Sequence, residues 1–296
     1  ESFSNRMQSL PWLLEQEGYR TSFFHGAPNG SMGYLAFSNL IGIDRYYGMN
    51  EYGNKADFDG FWAIWDEEFF QYFARELGNT PQPFLSTIFS ASSHHPFGLP
   101  ERYTGKFPEG PHPINRCIAY TDMAVRRFFE TASKTDWYRN TLFVITADHC
   151  QSQPSKEIYR TPAGSFEVPV IFFAPDGSLK GEDPRLIQQI DIMPVVLGQL
   201  HYNKPYFAFG SDVVHGDGTN MVVNYINGVY QLFYKDYLIM ADMKETRGIY
   251  RFKTDRMLTE NLAGRAGTMQ DTLELKIKAF MQQYNNRMLE NRISVE

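Results

Sequence analysis

The sequence predicts an α/β fold, with a mostly parallel sheet flanked by helices, and three observations carry that expectation. Short continuous apolar runs alternate with segments of helical periodicity, and continuous rather than alternating runs mark strands covered on both faces. The 296 residues suffice for one large core plus a small annex. After Phe209-Gly210 the texture changes to closely spaced short strands around an Asn-Gly turn, which predicts a small C-terminal antiparallel β annex.

Taken in order, Met7 to Gly18 reads as an amphipathic helix, with Leu10, Leu13 and Leu14 on one face and Gly18 where a C-cap belongs. Tyr19 to Phe24 is a strand ending at His25-Gly26. A loop rich in Gly and Asn, residues 27–34, leads into a helix over 35–40. Asp66, as N-cap with acids following, starts a helix that runs to Leu77-Gly78. Pro83 to Phe89 is a continuous apolar strand followed by Ser90-Ala91-Ser92-Ser93-His94-His95-Pro96. Residues 115–133 form a helix offering Ile118, Val125, Phe128 and Phe129 to the core. Thr141 to Thr146 and Val168 to Ala174 read as buried strands, ending in Ala147-Asp148-His149 and Pro175-Asp176-Gly177. A helix over 189–200 follows. Strands over 221–224, 229–234 and 237–241 and a closing helix over 271–289 complete the annex. The expected division is an α/β domain over 1–213 and a β-plus-helix subdomain over 214–296.

Composition narrows the function classes. With 43% hydrophobic and 21% charged residues the chain is not a disordered or fibrous one. Lys+Arg 28 against Asp+Glu 34 gives a net charge of -6, which argues against a broad nucleic-acid-binding face. Cys117 and Cys150 are too few for a disulfide scaffold. No apolar run approaches the ~20 residues that span a bilayer. The first residues, Glu1 to Arg6, form no signal peptide, and without an initiator Met the chain is expected to be cut from something longer.

In open parallel sheets ligands bind beyond the carboxyl ends of the strands. Three strands end in metal- or phosphate-capable residues: His25, His94-His95 and Asp148-His149. A carboxylate beside an imidazole suits Zn²⁺ or Mn²⁺, and their place directly after an apolar strand favours a metal over a helix cap and a core histidine. His94 or His95, on an extended loop before Pro96, is suited to hold a phosphate or sulfate oxygen or to protonate a leaving group; a loop histidine bonded to backbone fits equally well. His25 fits either a site role or a strand-end hydrogen bond. Asn29 and its neighbouring glycines offer backbone N–H groups to an anion. Asp66 reads as a cap rather than a ligand, and Trp62 and Trp65 as core or cleft wall.

The helix S-L-P-W-L-L-E-Q-E-G-Y, the strand end F-F-H-G, the loop S-S-H-H-P-F and the strand–T-A-D-H unit follow one another as in lipoteichoic acid synthase-like proteins. Q-Q-I-D-I-M-P-V-V-L and F-A-F-G-S-D continue the likeness. The chain resembles this sulfatase branch of the alkaline phosphatase superfamily over roughly residues 6 to 213, and A-P-N-G-S-M-G resembles its Gram-negative anaerobe members. The resemblance implies one divalent cation, commonly Mn²⁺, with Zn²⁺, Mg²⁺ or Ca²⁺ as alternatives. It implies a periplasmic or extracellular domain behind membrane-anchoring helices. A threonine nucleophile would attack a phospholipid-derived or other phosphoester. Asp148 and His149 match the metal ligands, His94 the phosphate-binding histidine and His25 the substrate-loop histidine; His95 and Asn29 join the substrate side.

Two departures accompany it. Where glycerophosphate-transferring members hold that group with Asp, Trp and Arg, this chain has Ala27, Met32 and Tyr34. The family's first strand, acidic ligand and nucleophile have no counterpart, and neither cysteine lies in the C-x-P-x-R pattern that yields formylglycine. The expected function is therefore metal-dependent phosphoester transfer or hydrolysis on an envelope-associated substrate, this chain alone being inactive. The alternatives are a sulfatase whose formylglycine lies upstream, and a non-catalytic binding domain that retains the fold.

Overall fold

The computed structural model describes residues 7–152, 154–216, 220–242 and 244–295; the start of the chain, read above for a signal peptide, lies outside them. The chain forms two compact units. Ser9–Leu142 with Ala174–Ser178 make the parallel unit, and the described parts of Glu1–Gln8, Phe143–Phe173 and Leu179–Glu296 make the antiparallel unit.

In the parallel unit, helix α1 (Leu10–Glu15) is shorter than its periodicity suggests. Ser9 caps it, its hydroxyl accepting the Trp12 N–H at 3.1 Å. Strands β1 (Arg20–His25), β2 (Arg45–Tyr47) and β3 (Phe84–Phe89) pair in the order β2-β1-β3, all parallel. The sequence did not reveal β2, because Arg-Tyr-Tyr offers no apolar run. Helices α2 (Tyr34–Leu40), α3 (Met49–Tyr52), α4 (Asp66–Asn79) and α5 (Ile114–Ala132) complete the unit. Phe24 of β1 is fully buried, with the Phe73 ring of α4 at 4.8 Å, and its burial contributes roughly 1.5–3 kcal/mol. Phe73 in turn stacks on Phe128 of α5 at 5.5 Å.

Two expectations for these helices need correction. The cap of α4 is Trp65, and Asp66 is its first helical residue, fully buried. On α5 the buried stripe is Cys117, Tyr120, Ala124 and Phe128, while Ile118 is 49% exposed. One residue further along a helix lies about 100° round its axis, so Ile118 misses the stripe that its hydrophobicity suggested.

In the antiparallel unit, β4 (Phe143–Thr146) pairs with β5 (Val170–Phe173), Thr146 opposite Val170. These strands were expected to be buried, within a mostly parallel sheet. They run antiparallel, and the register pair Ile145 and Ile171 is exposed. An apolar run reports composition, not direction or cover. The described part of the connection between them holds only 3-10 turns and no α-helical crossover, so the chain doubles back. Helix α6 (Ile192–Gln199) buries Val195, Val196 and Leu197. Strands β6 (Met221–Ile226), β7 (Val229–Tyr234), β8 (Tyr237–Ala241) and β9 (Thr246–Tyr250) form an antiparallel meander in chain order. Helix α7 (Thr268–Leu289) lays Leu273, Ile277 and Met281 against Leu232, Ile239 and Ile249. The annex is thus as expected, with β9 added. Gly248 interrupts the pattern of β9; a Cβ there would lie 2.6 Å from the Tyr250 ring.

Candidate functional site

In the parallel unit, His25 ends β1 opposite Phe89 at the end of β3, so the loops that follow leave from one edge of the sheet. Gly26 comes next because a Cβ would sit 3.2 Å from the side chains of Ile64 and Phe69. His25 is only 4% exposed. The Tyr34 ring lies edge-on at 4.7 Å, the Phe89 ring at 5.4 Å, and the Tyr46 hydroxyl 3.4 Å from Nδ1. Burial among these rings lowers its pKa to about 4. His25 is therefore a neutral imidazole at neutral pH, not a cation for an anionic group.

Asn29 is committed to the protein. Its amide donates to both carboxylate oxygens of Glu51, at 3.1 and 2.8 Å, and its Oδ1 accepts the Asn50 N–H at 3.3 Å.

The loop that carries His94 is clamped at both ends. At its start, Asp66 Oδ1 accepts the backbone N–H groups of Ala91 at 2.9 Å and Ser92 at 3.2 Å. Asp66 Oδ2 accepts the Thr121 hydroxyl at 2.6 Å, and the Asp66 N–H donates back to Ser92 Oγ at 3.0 Å. Burial raises the Asp66 pKa, and these hydrogen bonds oppose the shift. At the far end, the Trp62 indole donates to the His95 carbonyl at 2.5 Å and sets its ring 4.8 Å from the His94 ring. Trp62 is held by Asp59, whose Oδ1 accepts the N–H groups of Phe61, Trp62 and Ala63 within 3.1 Å.

His94 and His95 are exposed. The Nδ1 of His94 lies 3.0 Å from the His95 carbonyl, which makes Nδ1 the protonated nitrogen and leaves Nε2 outward. In the imidazolium form Nε2 donates to an anion. Beside it lies a notch of about 20 Å³, lined by Asp59, Phe61, Ser92, His94 and Pro96 among others. That is room for about one water-sized group. Sequence reading missed Trp62 and Asp66 as supports of this loop; an acid just before an aromatic helix start reads first as a cap.

Asp148 and His149 lie in the antiparallel unit, two and three residues beyond β4. Their side chains converge, His149 Nε2 lying 3.3 Å from Asp148 Oδ2. Two ligands held about 2.0–2.2 Å from one ion lie roughly 3 Å apart at a right angle and roughly 3.5 Å apart at the tetrahedral angle. The pair fits that spacing. His149 Nδ1 is 2.7 Å from the Cys150 carbonyl, which orients the ring and favours the tautomer with an unprotonated Nε2, the form that metal-binding histidines use. Both side chains are exposed, at 53% and 73%. Among the described residues no cluster of three or more His, Cys, Asp or Glu side chains is placed to hold a metal, so Asp148 and His149 form a two-donor pair.

The structure thus brings His25 and His94 to one edge of the parallel sheet and pairs Asp148 with His149 in the other unit.

The sulfatase family model matches residues 1–202. Lipoteichoic acid synthase 2 of Bacillus subtilis is 26% identical over 280 residues, which cover 87% of this chain and 41% of that protein. The chain spans about two fifths of the length of the curated relatives it matches. An alkaline phosphatase superfamily protein from Vibrio parahaemolyticus superposes with a TM-score of 0.84 at 20% identity, covering 99% of this chain and 71% of the other. The lipoteichoic acid synthase LtaP from Listeria monocytogenes does so with a TM-score of 0.70 at 21% identity, covering 86% and 71%. The fold is that of the alkaline phosphatase superfamily.

Proposed function

The chain belongs to the sulfatase family, and on that premise we propose that it serves metal-dependent transfer or hydrolysis of a phosphoester or sulfoester, on an envelope-associated substrate. The observation that carries this reading is the Asp148–His149 pair, with its spacing of 3.3 Å and its oriented imidazole. A divalent ion held by Asp148 Oδ2 and His149 Nε2, Mn²⁺ by preference, would supply Lewis-acid activation of a nucleophilic hydroxyl. Neither that nucleophile nor a second acidic metal ligand beside Asp148 is assigned to a residue of this chain.

The remaining roles fall to the chain's own side chains. Within the parallel unit, His94 as the imidazolium would present Nε2–H to a phosphate or sulfate oxygen, and Trp62 and Asp66 hold its loop in place. His25, neutral and enclosed, orients the Tyr34 and Tyr46 side of the substrate loop rather than binding charge. Asn29, bound to Glu51 and Asn50, shapes that loop, and exposed His95 lies beside Phe61 and Phe97 next to His94.

The loop after β1 bears on the substrate. Ala27 is buried, Met32 is 73% exposed, and Tyr34 stacks on Phe23 at 5.8 Å. Those three positions offer no carboxylate, guanidinium or indole to grip a glycerophosphate head. An ester other than polyglycerolphosphate follows, and sulfate hydrolysis is the second reading. The parent polypeptide would present this domain outside a membrane; among the described residues no helix is long and apolar enough to cross one.

The test uses the product of the complete natural reading frame. It is expected to hydrolyse bis-nitrophenyl phosphate or nitrophenyl sulfate with Mn²⁺. Asp148→Ala should lower that rate by more than about 100-fold, since partners one shell further out already cost 10–100-fold. Preference between the two esters separates the two readings. Turnover indifferent to Asp148→Ala would end both.

A further inference from the structure

We propose that Gln189 is the positioning residue for the Asp148–His149 pair. The inference rests on the reading of that pair as metal ligands. The Gln189 amide Nε2 donates to the Ala147 carbonyl at 2.7 Å and to the Asp148 carbonyl at 3.0 Å. These carbonyls belong to the two peptide planes on either side of the Asp148 Cα. With both planes held, the φ and ψ of Asp148 are set, and with them the direction of its side chain. The second plane also carries the His149 N–H, which donates to Asp148 Oδ1 at 2.9 Å and so turns Oδ2 towards the imidazole.

Gln189 can act in this way because its own backbone is held from both sides. The neighbouring Gln188 docks on β6: its Oε1 accepts the Val223 N–H at 3.0 Å and its Nε2 donates to the Met221 carbonyl at 3.2 Å. Asp191, wholly buried, accepts the N–H groups of Gln188 at 2.9 Å and Ser211 at 2.8 Å. Gly210 makes room for this turn, as a Cβ there would lie 2.2 Å from the Ile190 carbonyl oxygen. On the far side of the ligand pair, the Cys150 thiol donates to the Glu167 carbonyl at 2.9 Å. The ligand pair is thus an exposed loop with a fixed floor, and Gln189 is the floor's contact with it. The segment Q-Q-I-D-I-M-P, otherwise a helix entry, gains a reason for its first polar residues.

A merely structural role would change stability alone. A positioning role changes metal affinity, because the two ligands lose their common direction. The chain labelled at histidine with ¹⁵N is titrated with MnCl₂, and paramagnetic broadening of the His149 ring signals gives a midpoint. In the wild type, His149 should broaden ahead of His112 and His201. Gln189→Met, close in volume but without the donor, should raise the midpoint about tenfold. Gly228→Ala, in a hairpin of the annex, serves as the stability control: it should lower the Tm at least as much and leave the midpoint where it was. An unchanged midpoint in Gln189→Met, or an equal rise in Gly228→Ala, overturns the positioning role while the ligand reading stands. No preferential broadening of His149 in the wild type overturns both.

Discussion

His25 shows how one buried side chain links stability to pH. Its folded pKa lies near 4, below the ordinary 6.5, because burial disfavours the imidazolium. Between these values the unfolded chain takes up a proton that the folded chain refuses. The stability contributed above pH 6.5 is therefore lost as pH falls towards 4. At 1.36 kcal/mol per pH unit the full loss is roughly 3 kcal/mol. His25→Phe, which keeps a ring in the cage of Tyr34 and Phe89, should remove this component. Urea unfolding at pH 7 and pH 4.5 should then show a fall in stability smaller by about 2 kcal/mol in the variant. An equal fall in both proteins would mean that His25 does not titrate as a buried group. At this scale the sequence named His25 and His94 as candidates, since a strand end followed by Gly or by Pro marks them out. It could not tell that one is enclosed and the other exposed, because neighbours such as Tyr34, Tyr46 and Trp62 come from distant positions.

Elements were legible where local chemistry decides them. The β6–β7 hairpin follows from Asn227-Gly228, both of which adopt positive φ, 51° and 84°. A Cβ at Gly228 would meet nothing within 4 Å, so Gly228→Ala probes the backbone alone. It should cost about 1–2 kcal/mol and lower the Tm by several degrees, as thermal denaturation followed by circular dichroism would record. Full stability in that variant would argue against the two-residue turn. Elements were illegible where long-range pairing decides. The apolar runs that became β4 and β5 carry no mark of strand direction, and the antiparallel pairing of Ile145 with Ile171 depends on the path of the connecting loop. The start of α5 shows the same limit: Ile118 is apolar yet exposed, because Tyr120 and Ala124 set the buried stripe.

At the scale of the whole molecule, the family was legible in the order of four short segments, and the sulfatase family match over residues 1–202 bears it out. The contacts that hold the His94 loop in one unit and the Asp148–His149 pair in the other were not, since Trp62 and Asp66, and separately Gln189, act through backbone groups that no motif records. The central claim is that Asp148 and His149 bind one divalent ion between them. It is tested most directly by soaking crystals of this chain in MnCl₂ and collecting anomalous diffraction. The expected result is a single strong peak about 2.0–2.3 Å from both Asp148 Oδ2 and His149 Nε2. Strong manganese peaks only elsewhere on the chain, with that pair unchanged, would contradict it.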